Sequence, residues 1–156
     1  MMSTFTHLNE KGEVHMVDVT PKPDVSRMAL ASGRIYLRPE TLNAIAKGTV
    51  VKGNVLATAQ VAGTMAVKQT WAIIPMCHQI PVGSVTIEFV QTEAFIEAKC
   101  RVKTYAKTGI EMEALTGVSV ALLTIWDMVK SAEKDAFGQY PVTRIEGIHV
   151  IEKIKE

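Results

Sequence analysis

The chain is poor in aromatic residues, at 6% of 156 positions, so an aliphatic core must do the packing. It has no basic excess: 17 Lys and Arg stand against 16 Asp and Glu, a net charge of +1. That argues against a general nucleic-acid binder, which carries a clear positive surplus, though not against a local basic pocket. Two cysteines, Cys77 and Cys100, are too few for a disulfide framework. There is no CxxC pair, no glycine-rich phosphate loop, no internal repeat and no low-complexity tract. The first residues, MMSTFTHLNEKGE, lack an apolar core, so no signal peptide is expected. The longest apolar run, Ala114 to Trp126, is interrupted by Thr116, Ser119 and Thr124 and reads as too short and too polar for a membrane span. These absences predict a cytoplasmic protein of one domain over residues 1–156, with residues 1–12 as a loose arm.

Apolar residues make up 47% of the chain and are patterned. HMVDV (15–19) reads as a short strand or extended arm, and Pro21-Lys22-Pro23 as an extended linker. Arg27 to Leu37 reads as a strand, and Pro39 to Lys47 as a short helix stopped by Gly48. Asn54 can cap a second helix running to about Ile74, where Ala57, Ala59, Ala62, Gly63 and Ala66 imply close packing. Two prolines fence the loop PMCHQIP (75–81). Val85, Ile87 and Phe89 alternate with polar neighbours, as do Ile96, Ala98, Cys100 and Val102 after a turn at residues 91–93, which predicts a hairpin with one wet face. From Lys107 to about Lys134 a long helix follows, with Thr108 and Glu111 spaced as a capping box. Leu115, Val118, Ser119, Leu122, Leu123 and Trp126 mark its expected buried face. A strand from Arg144 to Ile154 closes the chain. The order β-α-β-β-α-β predicts an α+β, ferredoxin-like fold with helices on one face of an antiparallel sheet. Such a fold hosts many functions, so chemistry must be argued from residues.

Asp127 and Lys130 lie three apart on the long helix, next to Trp126. They are either a solvated ion pair or, if partial burial tunes them, an acid/base pair. Glu113 lies 14 residues before Asp127, about 21 Å along the axis at the rise of an α-helix, so one compact site cannot use both ends from one chain. A site between subunits could. Cys77-His78 is a poor metal pair, because adjacent side chains rarely both ligate, and His7, His15 and His149 are scattered. His78 is better suited to acid/base work or to holding an anion. Lys52 precedes a helix N-terminus, which favours anions, while Lys68 and Arg27 are each either solvated charges or parts of a phosphate site.

Four blocks carry a resemblance: HMVDV, KGNVLATAQVAG (52–63), PMCHQIP and KTGIEMEALTGVSVALLTIWDMVK (107–130). With them nearly the whole chain resembles the cyclic pyranopterin monophosphate synthase family, accessory protein C of molybdenum cofactor biosynthesis. The resemblance implies a lyase that converts 3′,8-cyclo-7,8-dihydroguanosine 5′-triphosphate to cyclic pyranopterin monophosphate and releases pyrophosphate. It implies a homo-hexamer, a trimer of dimers, with active sites between subunits, acting after a radical SAM enzyme. Asp127 and Lys130 match the catalytic pair. Met76, Cys77 and His78 match one substrate-binding loop, Met112 and Glu113 a second, and Lys52 a site lysine, with Lys68 and Arg27 as phosphate-binding positions. The chain departs from the family pattern at Gln79, where proline is usual, and at Asn54, where aspartate is usual. No cofactor is required on this resemblance, no resident metal is expected, and magnesium would accompany the triphosphate. Neither nucleic acid nor membrane is an expected partner. The competing class is a non-catalytic, nucleotide-binding oligomeric module, which would have no need of the Asp127–Lys130 pair.

Overall fold

The structure is a computed structural model and describes residues 8, 9 and 11–156. Most of the segment expected to be a loose arm, with His7, lies outside the described residues. The described part of it is a tight turn: Leu8 bridges Val14, and the Asn9 side chain accepts from the amides of Lys11 and Glu13. The block 15–19 forms no strand and no helix. The expected extended linker after it is a turn instead, because the Lys22 amide donates back to Val19 and Asp18 accepts from the Thr20 amide.

The elements are β1 (Val25–Tyr36), α1 (Pro39–Lys47), α2 (Val55–Lys68), α3 (Thr70–Ile73), β2 (Ser84–Gln91), β3 (Phe95–Ala106), α4 (Glu111–Glu133) and β4 (Arg144–Lys155). The four strands form an antiparallel sheet in the order β2-β3-β1-β4, the ferredoxin-like arrangement expected from the element order. Ala29, Ala31, Ile35, Ile96, Ala98, Cys100 and Val102 turn to one face and are fully buried there beneath the helices. α4 lies across β1, β3 and β4 and packs beside α2.

The α4 face that is buried runs Ala114, Val118, Ala121, Leu122, Ile125 and Val129. The expected face was rotated from this one. Leu123 is 57% exposed, and Leu115, Ser119 and Trp126 are half-buried, because the alanines and glycine rather than the largest side chains meet the sheet. By length and composition α4 could cross a membrane, against the expectation from its apolar run, but half of its most apolar window is buried in this fold as in a core helix.

The capping box does not form. The N-cap of α4 is Ile110, which offers no side-chain cap, and the Glu111 carboxylate pairs with Lys153 on β4. Asn54 does cap α2, accepting from the Ala57 amide at 3.0 Å, so its departure from the usual aspartate keeps the hydrogen bond. α2 breaks at Gln69, earlier than expected, and its continuation is the short α3. Of the small residues on α2, Ala59, Gly63 and Ala66 are buried, whereas Ala57 is exposed and Ala62 half-buried. At the far end of α4 the buried Glu133 side chain accepts from the Arg38 amide and, at 2.6 Å, from the Thr143 hydroxyl. It thereby ties the end of α4 to the start of α1 and of β4.

Candidate active site

α4 carries a separate group of polar residues at each end. At its start lies a cavity of about 570 Å³. One wall is the loop 75–81, with Met76, Cys77 and His78 all half-buried. The opposite wall is the first turn of α4, with Glu111, Met112 and Glu113. Two blocks more than thirty residues apart in the sequence thus face each other across one space. Val17 and Val19 of the block 15–19, with Lys22 of the turn after it, form a third wall. That segment is tied down at two points: His78 Nε2 meets the Val17 carbonyl at 2.6 Å, and Lys107 Nζ donates to the Thr20 carbonyl at 2.8 Å. A carbonyl can only accept, so Nε2 carries the proton and a neutral His78 keeps Nδ1 as its acceptor.

The two carboxyl groups in the cavity are driven apart. Burial raises the Glu113 pKa; its own backbone amide opposes this and the charge of Glu111 adds to it. Its side chain belongs to a residue only 4% exposed and has no cationic partner among the described ion pairs. Burial also works to raise Glu111, but the hydrogen bond from Lys153, the backbone amide and the charges of Lys153 and Arg27 outweigh it, and the net shift is downward. Two carboxyls lining one cavity with opposite shifts are suited to separate roles as base and acid. The Cys77 thiol is pushed up, first by burial and then by Glu113, and Cys100 is pushed up to about 12 by burial. Neither is poised as a thiolate nucleophile at neutral pH.

The last turns of α4 hold the second group. Lys130 Nζ lies 2.7 Å from Asp127 Oδ1. Lys52, from the loop before α2, donates to the Asp127 carbonyl at 2.9 Å and lies 3.5 Å from Oδ2. The Asp127 pKa is lowered, chiefly by the Lys130 hydrogen bond and then by the charges of Lys130 and Lys52, and that of Lys130 is raised by the same hydrogen bond. Burial therefore does not tune this pair towards neutrality as the acid/base reading requires. The three side chains are 46–60% exposed, and each partner holds the other charged. In one chain the group is an open anion-and-cation cluster that needs a cover before it can exchange protons near neutral pH. Lys52 also lines a groove of about 380 Å³ between α1 and α4 with Arg38, Met128 and Val129.

The other basic candidates lie apart. Lys68 lines a neighbouring cavity of about 460 Å³ with Thr64 and Ser84, separated from the first by the shared Ile80. Arg27 is half-buried and directs its Nε and Nη2 to the carbonyls of Ala106 and Lys107 at 3.0 and 3.1 Å, bracing the approach to α4. A larger cleft of about 670 Å³ between the loop before α2 and β2 contains none of the candidates. Among the described residues no three His, Cys, Asp or Glu side chains group as a metal site.

Two lysines of the first cavity, Lys22 and Lys153, escaped the sequence reading. Lys22 sits in a segment with no regular structure to fix its direction. Lys153 could have been found from β4, because it pairs with the inward-facing Ala29. That inference needs the two register shifts of β4, one of them beside Gly147 at φ 68°, which put Ile148 and Lys153 on the helix side.

The chain is 81% identical over 154 residues to the probable cyclic pyranopterin monophosphate synthase of Methanocorpusculum labreanum, covering 99% of this chain and 98% of the relative. It is 66% identical to the protein of that name from Methanoregula boonei, with 99% of each covered. The protein of that name from Pyrococcus abyssi is 60% identical, over 99% of this chain and 97% of the relative. The MoaC family model matches residues 16–155, from the block before β1 through β4 and so across both ends of α4: the chain belongs to the MoaC family.

Proposed function

We propose that the protein is a cyclic pyranopterin monophosphate synthase. It is an enzyme, a lyase of molybdenum cofactor biosynthesis acting on 3′,8-cyclo-7,8-dihydroguanosine 5′-triphosphate. The observation that carries this reading is the 81% identity, over 99% of the chain, to a relative bearing that name. The chemistry makes two demands. The purine-derived base must open and reclose as a pterin, which takes several proton transfers. A ribose-derived hydroxyl must then attack the α-phosphorus as pyrophosphate leaves, a step that cations at the leaving oxygens accelerate.

Asp127 and Lys130 are the catalytic pair of this reading. Met76, Cys77, His78, Met112 and Glu113 line the substrate cavity, and Lys52, Lys68 and Arg27 supply positive charge for the phosphates. No resident cofactor is needed, and magnesium enters only with the triphosphate. Two features support sites shared between subunits of a cytoplasmic homo-hexamer, a trimer of dimers. The two polar groups stand about 21 Å apart on one rigid helix. Val61, Met65, Trp71 and Ile73 of α2 and α3 are 45–60% exposed, and a partner chain seated on these helices would cover them.

Lys130→Ala tests the catalytic assignment. The variant should make no detectable product from the cyclic triphosphate while binding it within a few-fold of wild type. Normal turnover by Lys130→Ala would remove Lys130 from the chemistry.

A further inference from the structure

We propose that Lys153 of β4 is a positioning residue of this site: its ammonium holds the Glu111 carboxylate against the cavity wall as the standing anion, leaving Glu113 as the carboxyl that takes up and releases a proton. This rests on the proposed reaction and adds to it a residue that acts through another.

Geometry carries the argument. Lys153 pairs in the sheet with Ala29, which is fully buried, so its side chain rises on the helix side and meets Glu111 Oε1 at the first turn of α4. Glu111 is two residues before Glu113 and lines the same cavity. The other charged and titratable groups around Glu111 do not replace this contact. Arg27 of β1 spends two of its donors on the Ala106 and Lys107 carbonyls. His78 is turned to the Val17 carbonyl. Lys22 and Cys77 line the cavity without an ion pair to Glu111, and Glu113 brings a like charge when ionised. Direction agrees with position: Glu111 is shifted down with Lys153 as its main opposing influence to burial, and Glu113 is shifted up. Without Lys153, two carboxyls in one cavity would compete for a proton rather than divide the roles of base and acid.

Lys153→Met with Lys153→Arg as its rescue provides the test. The side chain is 57% exposed, so both variants should melt like wild type. The first readout is the carboxyl ¹³C titration of Glu111, assigned with Glu111→Gln, which does not depend on turnover. Its midpoint should move up in Lys153→Met and return in Lys153→Arg. The second is the pH profile of kcat/KM with the cyclic triphosphate. Its acid limb should move up in Lys153→Met, with a loss on the order of tenfold below neutrality that fades as pH rises, less than the 10²–10⁴ of removing a proton-transfer group outright. An unmoved Glu111 midpoint overturns the pairing. A moved midpoint with superimposed rate profiles overturns its part in the reaction. Absence of turnover in wild type as well would count against the proposed reaction, while the titration would still decide the pairing.

Discussion

Glu113 is the side chain on α4 whose burial the fold rewards least. It is a carboxyl at 4% exposure that feels the charge of Glu111 and has no cationic partner among the described ion pairs. Its folded pKa lies above the ordinary value, so folding favours the protonated form. The stability this contributes is present below the ordinary carboxylate range and is lost as pH rises through the raised folded value. At neutral pH an ionised Glu113 should cost on the order of 1 kcal/mol, the scale of a buried polar group left without its partner. Glu113→Gln should therefore raise the urea midpoint at pH 7.5, with the gain shrinking towards pH 4. Equal gains at both pH values would mean that ionisation is not the cause. The neighbourhood of Glu113 was legible from the motif blocks at 75–81 and 107–130. Its electrostatics were not, because they depend on Lys153, which reaches the cavity only through the register of β4.

Among the elements, α2 and α4 approach each other closely at Gly63 and Gly117. A Cβ on Gly117 would stand 2.6 Å from Val67 Cγ2 and 2.8 Å from Cys100 Sγ, and one on Gly63 would stand 2.9 Å from the Gly117 carbonyl oxygen. The two helices can touch the sheet and each other only because neither has a side chain at the crossing. Gly117→Ala should gain about 1 kcal/mol in helix propensity but lose roughly 1–3 kcal/mol to overpacking, so it should be neutral to destabilising, with Gly117→Val worse by a further 1–2 kcal/mol. Urea midpoints for the two variants check this order. If Gly117→Val were as stable as wild type, the helices would be free to separate. The strands were readable because alternation over Ile96, Ala98, Cys100 and Val102 is a local property of a half-wet sheet. The rotation of α4 was not, because large side chains such as Leu123 outweighed Ala114, Gly117 and Ala121 in a pattern read by size. The capping box failed for a similar reason: Thr108 and Glu111 have the right spacing, but the helix starts two residues later than that cap requires and Lys153 takes the carboxylate.

On the scale of the whole molecule, α4 keeps its two polar groups apart. Its length holds Glu113 and Asp127 about 21 Å apart, and no hinge along it can close that gap. The Asp127 cluster is open and keeps both its charges, whereas the Glu113 cavity is walled on several sides. The two would complete each other if the start of α4 in one subunit faced the end of α4 in another. A mixing experiment decides this. Asp127→Ala and Glu113→Ala homo-oligomers should each be inactive. When the two chains are mixed in equal amounts and exchanged in a two-fold dimer, half of the dimers are mixed, and each of these has one site with both residues intact. Activity should recover to roughly a quarter of the wild-type value. Recovery requires Asp127 and Glu113 to come from different chains, since a site built within one chain would stay broken in every combination. No recovery in mixed oligomers verified by mass would return both groups to separate sites and leave the length of α4 without a catalytic meaning.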